Sequence, residues 1–302
     1  MTDQGSKLTS GMTPEAGFRR IAAQCGQAFA TQVAAVMTDD NAEGPHRARI
    51  ALRRFRSVLA GFSPVIDPDA RRDMAGRARA LFRCLGRLRD ADVLQAGCRD
   101  PAAVAGLGAD ADRVRAEVRI ELTTLDAAGF APTLGARLAG ADWLRGGKTA
   151  RRWHRRGLDR LGRRALGRAW QACVAHGPDL AALDTEPRHE LRKDLKTLRY
   201  LSEYFAPFWP GRMRDRFLDH LRGLQDHLGV LNDLALARAP SDDNAPTDDT
   251  ALSDDDPASD DTAPSDDNPA SDANAVSANE IAAMAAARDA WKSLQKIGPF
   301  WT

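Results

Sequence analysis

Cysteine is scarce in this chain, and no two of its four copies (Cys25, Cys84, Cys98 and Cys173) form a Cys-x-x-Cys pair. That spacing argues against a disulfide framework or a zinc knuckle and leaves the four as small core residues of a reduced protein. Aromatics are also sparse, at 6% of 302 residues, so stacking platforms for nucleobases are not a general feature of the surface. No apolar run in the first thirty residues is long enough for a signal peptide, and none elsewhere reaches the roughly 18 residues of a membrane-spanning helix. The expected setting is cytoplasmic. Period-2 alternation is lacking too, which speaks against strands. What remains is a chain rich in Ala, Leu and Arg, residues that lose little on entering a helix, and the expected fold class is all-α.

The formal net charge of +1 conceals a division. Residues 241–280 hold thirteen acidic side chains and no Lys or Arg, and the rest of the chain sets 43 basic residues against 29 acidic ones, a formal +14. A body so cationic attracts phosphates, nucleic acids or acidic surfaces. Repeats of Ser-Asp-Asp and Pro-Ala-Ser-Asp between about 240 and 278 cannot bury enough apolar surface to offset the entropy of ordering them. They read as a disordered acidic linker inserted before the last helix, either a solvated spacer or an intramolecular competitor for the cationic body.

Apolar spacing and proline positions predict helices over about 14–37, 45–62, 68–89, 110–128, 131–144, 150–176, 187–206, 212–238 and 279–297. Residues 1–13 read as a flexible tail, and residues 14–302 as one domain in two parts, about 14–144 and 148–302.

The division into two parts rests on an internal repeat. Sliding the chain by 143 residues places His46 on His189, Arg49 on Arg192, Arg53 on Lys196 and Arg56 on Arg199. It also matches Phe62 to Phe205, Pro64 to Pro207, Gly86 to Gly229 and Asp90 to Asp233. Between 46 and 90, 13 of 45 positions are identical, where roughly three would match by chance. A duplication of this kind predicts two similar four-helix bundles related by an approximate twofold axis.

In each copy the His and its three basic partners lie within an arc of about 80° on one helix face, beside a separate apolar stripe. A single basic stripe is usually a solvated face, but two copies at identical spacing favour a binding surface. Brought together, two such rows would line one cationic groove, whose mutual repulsion a polyanion would relieve. Arginine suits that task because its planar fork matches phosphate oxygens two at a time. Arg20 and Arg163 stand at the same offset and are expected to face inward as well. Asp90 and Asp233 are expected to hold arginines in place rather than to act on substrate. Gly86 and Gly229 read as points of close approach, and Trp153 and Trp170 as packing residues. No metal site is expected, since the six histidines show no ligand spacing and those at 46 and 189 have cationic neighbours.

The runs His46-x-x-Arg49-x-x-x-Arg53-Arg54-x-Arg56 and Leu85-Gly86-x-x-Arg89-Asp90-x-Asp92-Val93 resemble the signatures of the CHAD family, the conserved-histidine α-helical domain. So do their second copies, His189 to Arg199 and Leu228 to Asp233, and the closing Pro299-Phe300-Trp301. The resemblance implies two four-helix bundles around a basic cavity, non-catalytic binding of inorganic polyphosphate, no cofactor, and association with polyphosphate granules. Carried over residue by residue, the binding set is His46, Arg49, Arg53, Arg56, Arg89, His189, Arg192, Lys196 and Arg199. Asn232 stands where the first copy has Arg89, so the halves need not contact ligand equally. A polyphosphate-processing enzyme and a general nucleic-acid binder are the alternatives, but clustered carboxylates for a metal occur only in the acidic stretch, and no nucleic-acid motif is present.

Overall fold

A computed structural model describes residues 8–98, 101–236 and 278–302, which places the acidic stretch at 240–277 outside the described residues. The described chain forms α1 (Pro14–Thr38), α2 (Glu43–Gly61), α3 (Pro68–Gly97), α4 (Pro101–Thr124) and α5 (Phe130–Ala139). It continues as α6 (Gly147–His154), α7 (Leu158–Ala175), α8 (Thr185–Phe205), α9 (Arg212–Leu236) and α10 (Ala278–Ile297). Short 3-10 turns lie at Leu180–Ala182 and Ala206–Phe208. The fold is all-α, and among the described residues the β-structure amounts to one isolated bridge, Ile66 to Leu144.

Local chemistry sets the helix starts. Thr13 accepts a hydrogen bond from the Ala16 N–H at 3.1 Å, and Pro14 takes the first helical position. Asp67 accepts from the N–H groups of Asp69 and Ala70 at 3.0 and 3.1 Å, again with a proline next. Such caps satisfy donors that the helix itself leaves open. Proline at the first position also explains why α4 begins at Pro101 rather than near 110.

Two expectations need correction. The arginine-rich stretch 150–176 is not one helix; it breaks after Arg155 and restarts at Leu158, with Gly157 in extended backbone at φ −62°, ψ 152°. The helix expected to reach 144 stops at Ala139, and Trp143 is fully buried in the loop beyond it. That loop is fastened to the turn after α2. The Asp67 N–H donates to the Trp143 carbonyl at 2.8 Å, and the Arg145 N–H to the Val65 carbonyl at 2.9 Å.

The helices α7, α8 and α9 begin at Leu158, Thr185 and Arg212, against Pro14, Glu43 and Pro68 for α1, α2 and α3. These starts follow the 143-residue offset of the sequence repeat to within a residue. In both runs consecutive helices pack on each other: α1 on α2, α2 on α3 and α3 on α4, then α7 on α8, α8 on α9 and α9 on α10. One continuous core joins the two runs.

The runs meet where α2 and α8 end. The rings of Phe62 and Phe205, equivalent residues of the repeat, stack at 5.7 Å with planes 21° apart, both fully buried. Glycine makes that approach possible on each side. A Cβ on Gly162 of α7 would stand 2.6 Å from the Phe205 ring, and one on Gly61 of α2 would stand 2.8 Å from the Leu201 side chain. Truncating either phenylalanine to alanine would cost about 3–5 kcal/mol. The last helix docks back as well: the Trp291 indole donates to the Gly177 carbonyl at 3.1 Å, and Phe300 and Trp301 each pack edge-on to Phe217 at 5.4 Å.

Candidate functional site

The first basic row is assembled between α2 and α3. Three guanidiniums of α2 converge on one ring of α3: the Cζ atoms of Arg49, Arg53 and Arg56 lie 4.0, 5.2 and 5.8 Å from the centroid of Phe82. Phe82 is 1% exposed and Arg56 is 7% exposed, so the arginine stems are packed while the row reaches the surface through Arg49 and Arg53. An aromatic face attracts cations through its quadrupole, and it does so without competing for the N–H donors at the guanidinium edge. Arg49 is fixed further by donating from Nη1 to the Phe82 carbonyl at 3.1 Å.

Gly86 makes room for that arrangement. A Cβ there would stand 2.4 Å from Arg49 Nη1, so the space a side chain would fill is taken by the guanidinium. The close approach expected at this glycine is therefore made by an arginine head, not by a second helix backbone. Its counterpart Gly229 faces open space among the described residues, with nothing within 4 Å of its virtual Cβ.

His46 opens the row in the first turn of α2. Burial lowers its pKa below the ordinary imidazole value, and Arg89, Arg53 and Arg49 push in the same direction, while Glu43 opposes them. The histidine thus senses the same positive field that an anion would neutralise. Asp90 lies beside the row on α3. Partial burial raises its pKa, and the charges of Arg49 and Arg89 pull it back only in part.

The second row runs along α8, where His189, Arg192, Lys196 and Arg199 are all half-buried. Arg199 lies 5.2 Å from the centroid of Tyr200, and its Nε is 3.7 Å from Glu203. Arg54 of α2 reaches the same two residues, at 5.3 Å from the Tyr200 ring and 2.8 Å from Glu203. Tyr200 and Glu203 therefore couple the end of the second row to the helix that carries the first.

The structure gathers His46, Arg49, Arg53, Arg56, Arg89 and Asp90 into one cluster and ties Arg199 to its helix. Arg20 is half-buried on α1. Arg163 is engaged differently from the inward placement expected of it. It donates to the Trp301 carbonyl and lies over the Trp209 ring at 5.5 Å, because the C-terminal residues fold back across α7. Asp233 and Asn232 belong to α9, but their side chains lie outside the described residues. Phe82 was not among the expected site residues. The signal that could have found it is its place one and two turns before Gly86 and Arg89 on α3.

Comparison with known proteins bears on the domain as a whole. Residues 20–239 match the family model described as CHAD domain. The fold is similar to the crystal structure of the CHAD domain from the plant Ricinus communis, with a TM-score of 0.64 and 23% identity over 78% of this chain and 81% of that one. At that identity the likeness bears on fold alone. No curated protein matches the chain.

Proposed function

The chain belongs to the CHAD domain family, and from that premise we propose that it binds inorganic polyphosphate, without chemistry of its own, in a groove lined by the rows of α2 and α8. The observation that carries the reading is the convergence of Arg49, Arg53 and Arg56 on the buried ring of Phe82, with Arg89 and His46 beside them. Packing against the ring holds the arginine stems in one place, and a row of guanidiniums fixed at regular spacing suits repeated contact with phosphate oxygens. Stacking of the repeat-equivalent Phe62 and Phe205 supports an approximate twofold axis between α2 and α8, which would set the two rows on one groove. Asp90 lies in the field of Arg49 and Arg89, a charge environment that disfavours a metal cation there, although burial still raises its pKa. Other polyanions could compete for the same rows. Recruitment to polyphosphate granules in the cytoplasm would follow from the binding.

The test is calorimetric titration with polyphosphate of the wild type and of a variant with Arg49, Arg56, Arg192 and Arg199 all replaced by Gln. Binding should be lost while the helical circular dichroism stays, and wild-type affinity should fall log-linearly with salt, by analogy with counterion release from nucleic acid. Unchanged affinity in the folded variant would overturn the assignment.

A further inference from the structure

Several surface arginines of this protein have a carboxylate partner. Arg47 meets Glu43 at 2.8 Å, Arg87 meets Glu117 at 2.6 Å, and Arg113 meets Asp110 at 3.1 Å. The junction of α6 and α7 instead gathers cations that have none among the described residues. Lys148, Arg151, Arg152, Arg155, Arg156 and Arg160 line one concave surface, and none of the six has an ion pair among the described residues. The break at Gly157 creates it, because restarting the helix brings Arg160 round to the side occupied by the α6 cations. Asp159, the acid within this stretch, turns back toward Gly157. Six cations crowded without counter-charge repel one another, and an anion seated among them removes that cost.

This surface is distinct from the groove. The strand of chain that leads into α6 is fastened to the turn after α2 through Arg145 and Val65, and Leu158 packs on Gly17 near the start of α1. It therefore lies at the C-terminal end of α2, about 20 Å along the helix axis from His46 at the far end of the first row and less than half that from Arg56 at its near end, at 1.5 Å per residue.

We propose that the α6–α7 face is a second phosphate-chain contact, engaged by polyphosphate long enough to leave the groove. The inference rests on the polyphosphate reading above. A nucleic acid is the less suitable occupant, since base stacking needs an open aromatic face. Trp153, the ring at this junction, carries Arg156 at 4.9 Å and Arg164 at 5.5 Å from its centroid. A bare phosphate chain asks only for charge at intervals.

The experiment compares tripolyphosphate with long-chain polyphosphate on the full chain, using three forms. These are the wild type, the groove variant described above, and a patch variant carrying R151Q, R152Q, R155Q and R156Q. The patch variant should keep wild-type affinity for tripolyphosphate and lose about tenfold or more for the long chain, the advantage that a second linked contact confers. The milder pair R152Q/R155Q, both exposed, should show the same selective loss to a smaller degree and guards against misfolding of the larger set. Wild-type affinity for the long chain in either folded variant overturns the proposal. So does a loss confined to a labelled single-stranded oligonucleotide, which would mark a nucleic-acid surface instead. The two readings fail separately: a wild type that binds neither phosphate sinks the function, whereas full long-chain binding by the groove variant sinks the groove and spares the patch.

Discussion

Arg49 occupies the space that glycine leaves open at position 86, and this gives the site a handle one methyl group wide. Replacing Gly86 by Ala puts a Cβ 2.4 Å from Nη1, and the flexible arginine must move off the Phe82 ring and its carbonyl. The helix itself gains up to about 1 kcal/mol from the exchange, so the melting temperature should hold or rise. Affinity for tripolyphosphate should drop by about tenfold, the equivalent of one lost charge-assisted contact. The same exchange at Gly229, with nothing within 4 Å, should raise the melting temperature and leave binding alone. Wild-type binding by G86A would show that Arg49 is not held where ligand meets it. Sequence comparison presents these glycines as equals, because the repeat matches them one to one. The difference is invisible there because Phe82, the residue that Arg49 leans on, has Gln225 as its counterpart, and a lone phenylalanine on a core face looks like any other core residue.

At the level of helices, α3 and α4 are joined by a buried ion pair. Arg115 donates from Nη2 to Asp92 Oδ1 at 2.7 Å, with side chains 7% and 3% exposed. Burial raises the Asp92 pKa even though Arg115 pulls it down, so desolvation outweighs the attraction. The sign follows: ionising this carboxyl costs more in the folded state than in the unfolded one. Its contribution to stability therefore falls as pH rises from the ordinary value of 3.8 through the raised one. Removing one partner should still be severe. Asp92→Ala leaves buried Arg115 with only the longer contact of its Nε to exposed Asp40 at 3.6 Å, at a cost approaching about 3–5 kcal/mol, whereas Asp92→Leu with Arg115→Met together should be neutral or stabilising. Urea denaturation measures both, and a double variant as unstable as the single one would contradict the argument. The helical class was legible, and prolines with capping residues mark the starts of α1 and α3, whereas α4 begins at Pro101, ahead of the expected start near 110. The stretch 150–176 was misjudged as continuous since arginine suits a helix wherever it stands, and the break depends on the backbone that Gly157 adopts. The burial of Trp143 in a loop was equally hidden, as it depends on partners at Val65 and Asp67, far away in the chain.

The molecule as a whole balances two blocks of charge that differ in kind. The family match ends at residue 239, just where the acidic run begins, yet α10 beyond that run packs on α9 as the repeat requires. The run joins two helices of the cationic body, so it acts either as a solvated spacer or as a rival for phosphate held at high effective concentration. Excising residues 241–278 removes twelve carboxylates and leaves four residues between Leu236 and the helix that follows, within the roughly 2–8 that join neighbouring helices. If the run competes, the shortened protein binds long-chain polyphosphate more tightly at low salt. That gain should fade above about 0.1 M salt, where the Debye length is near 10 Å and exposed charges are screened from one another. Equal affinities at low salt would identify a spacer whose charge serves solubility alone.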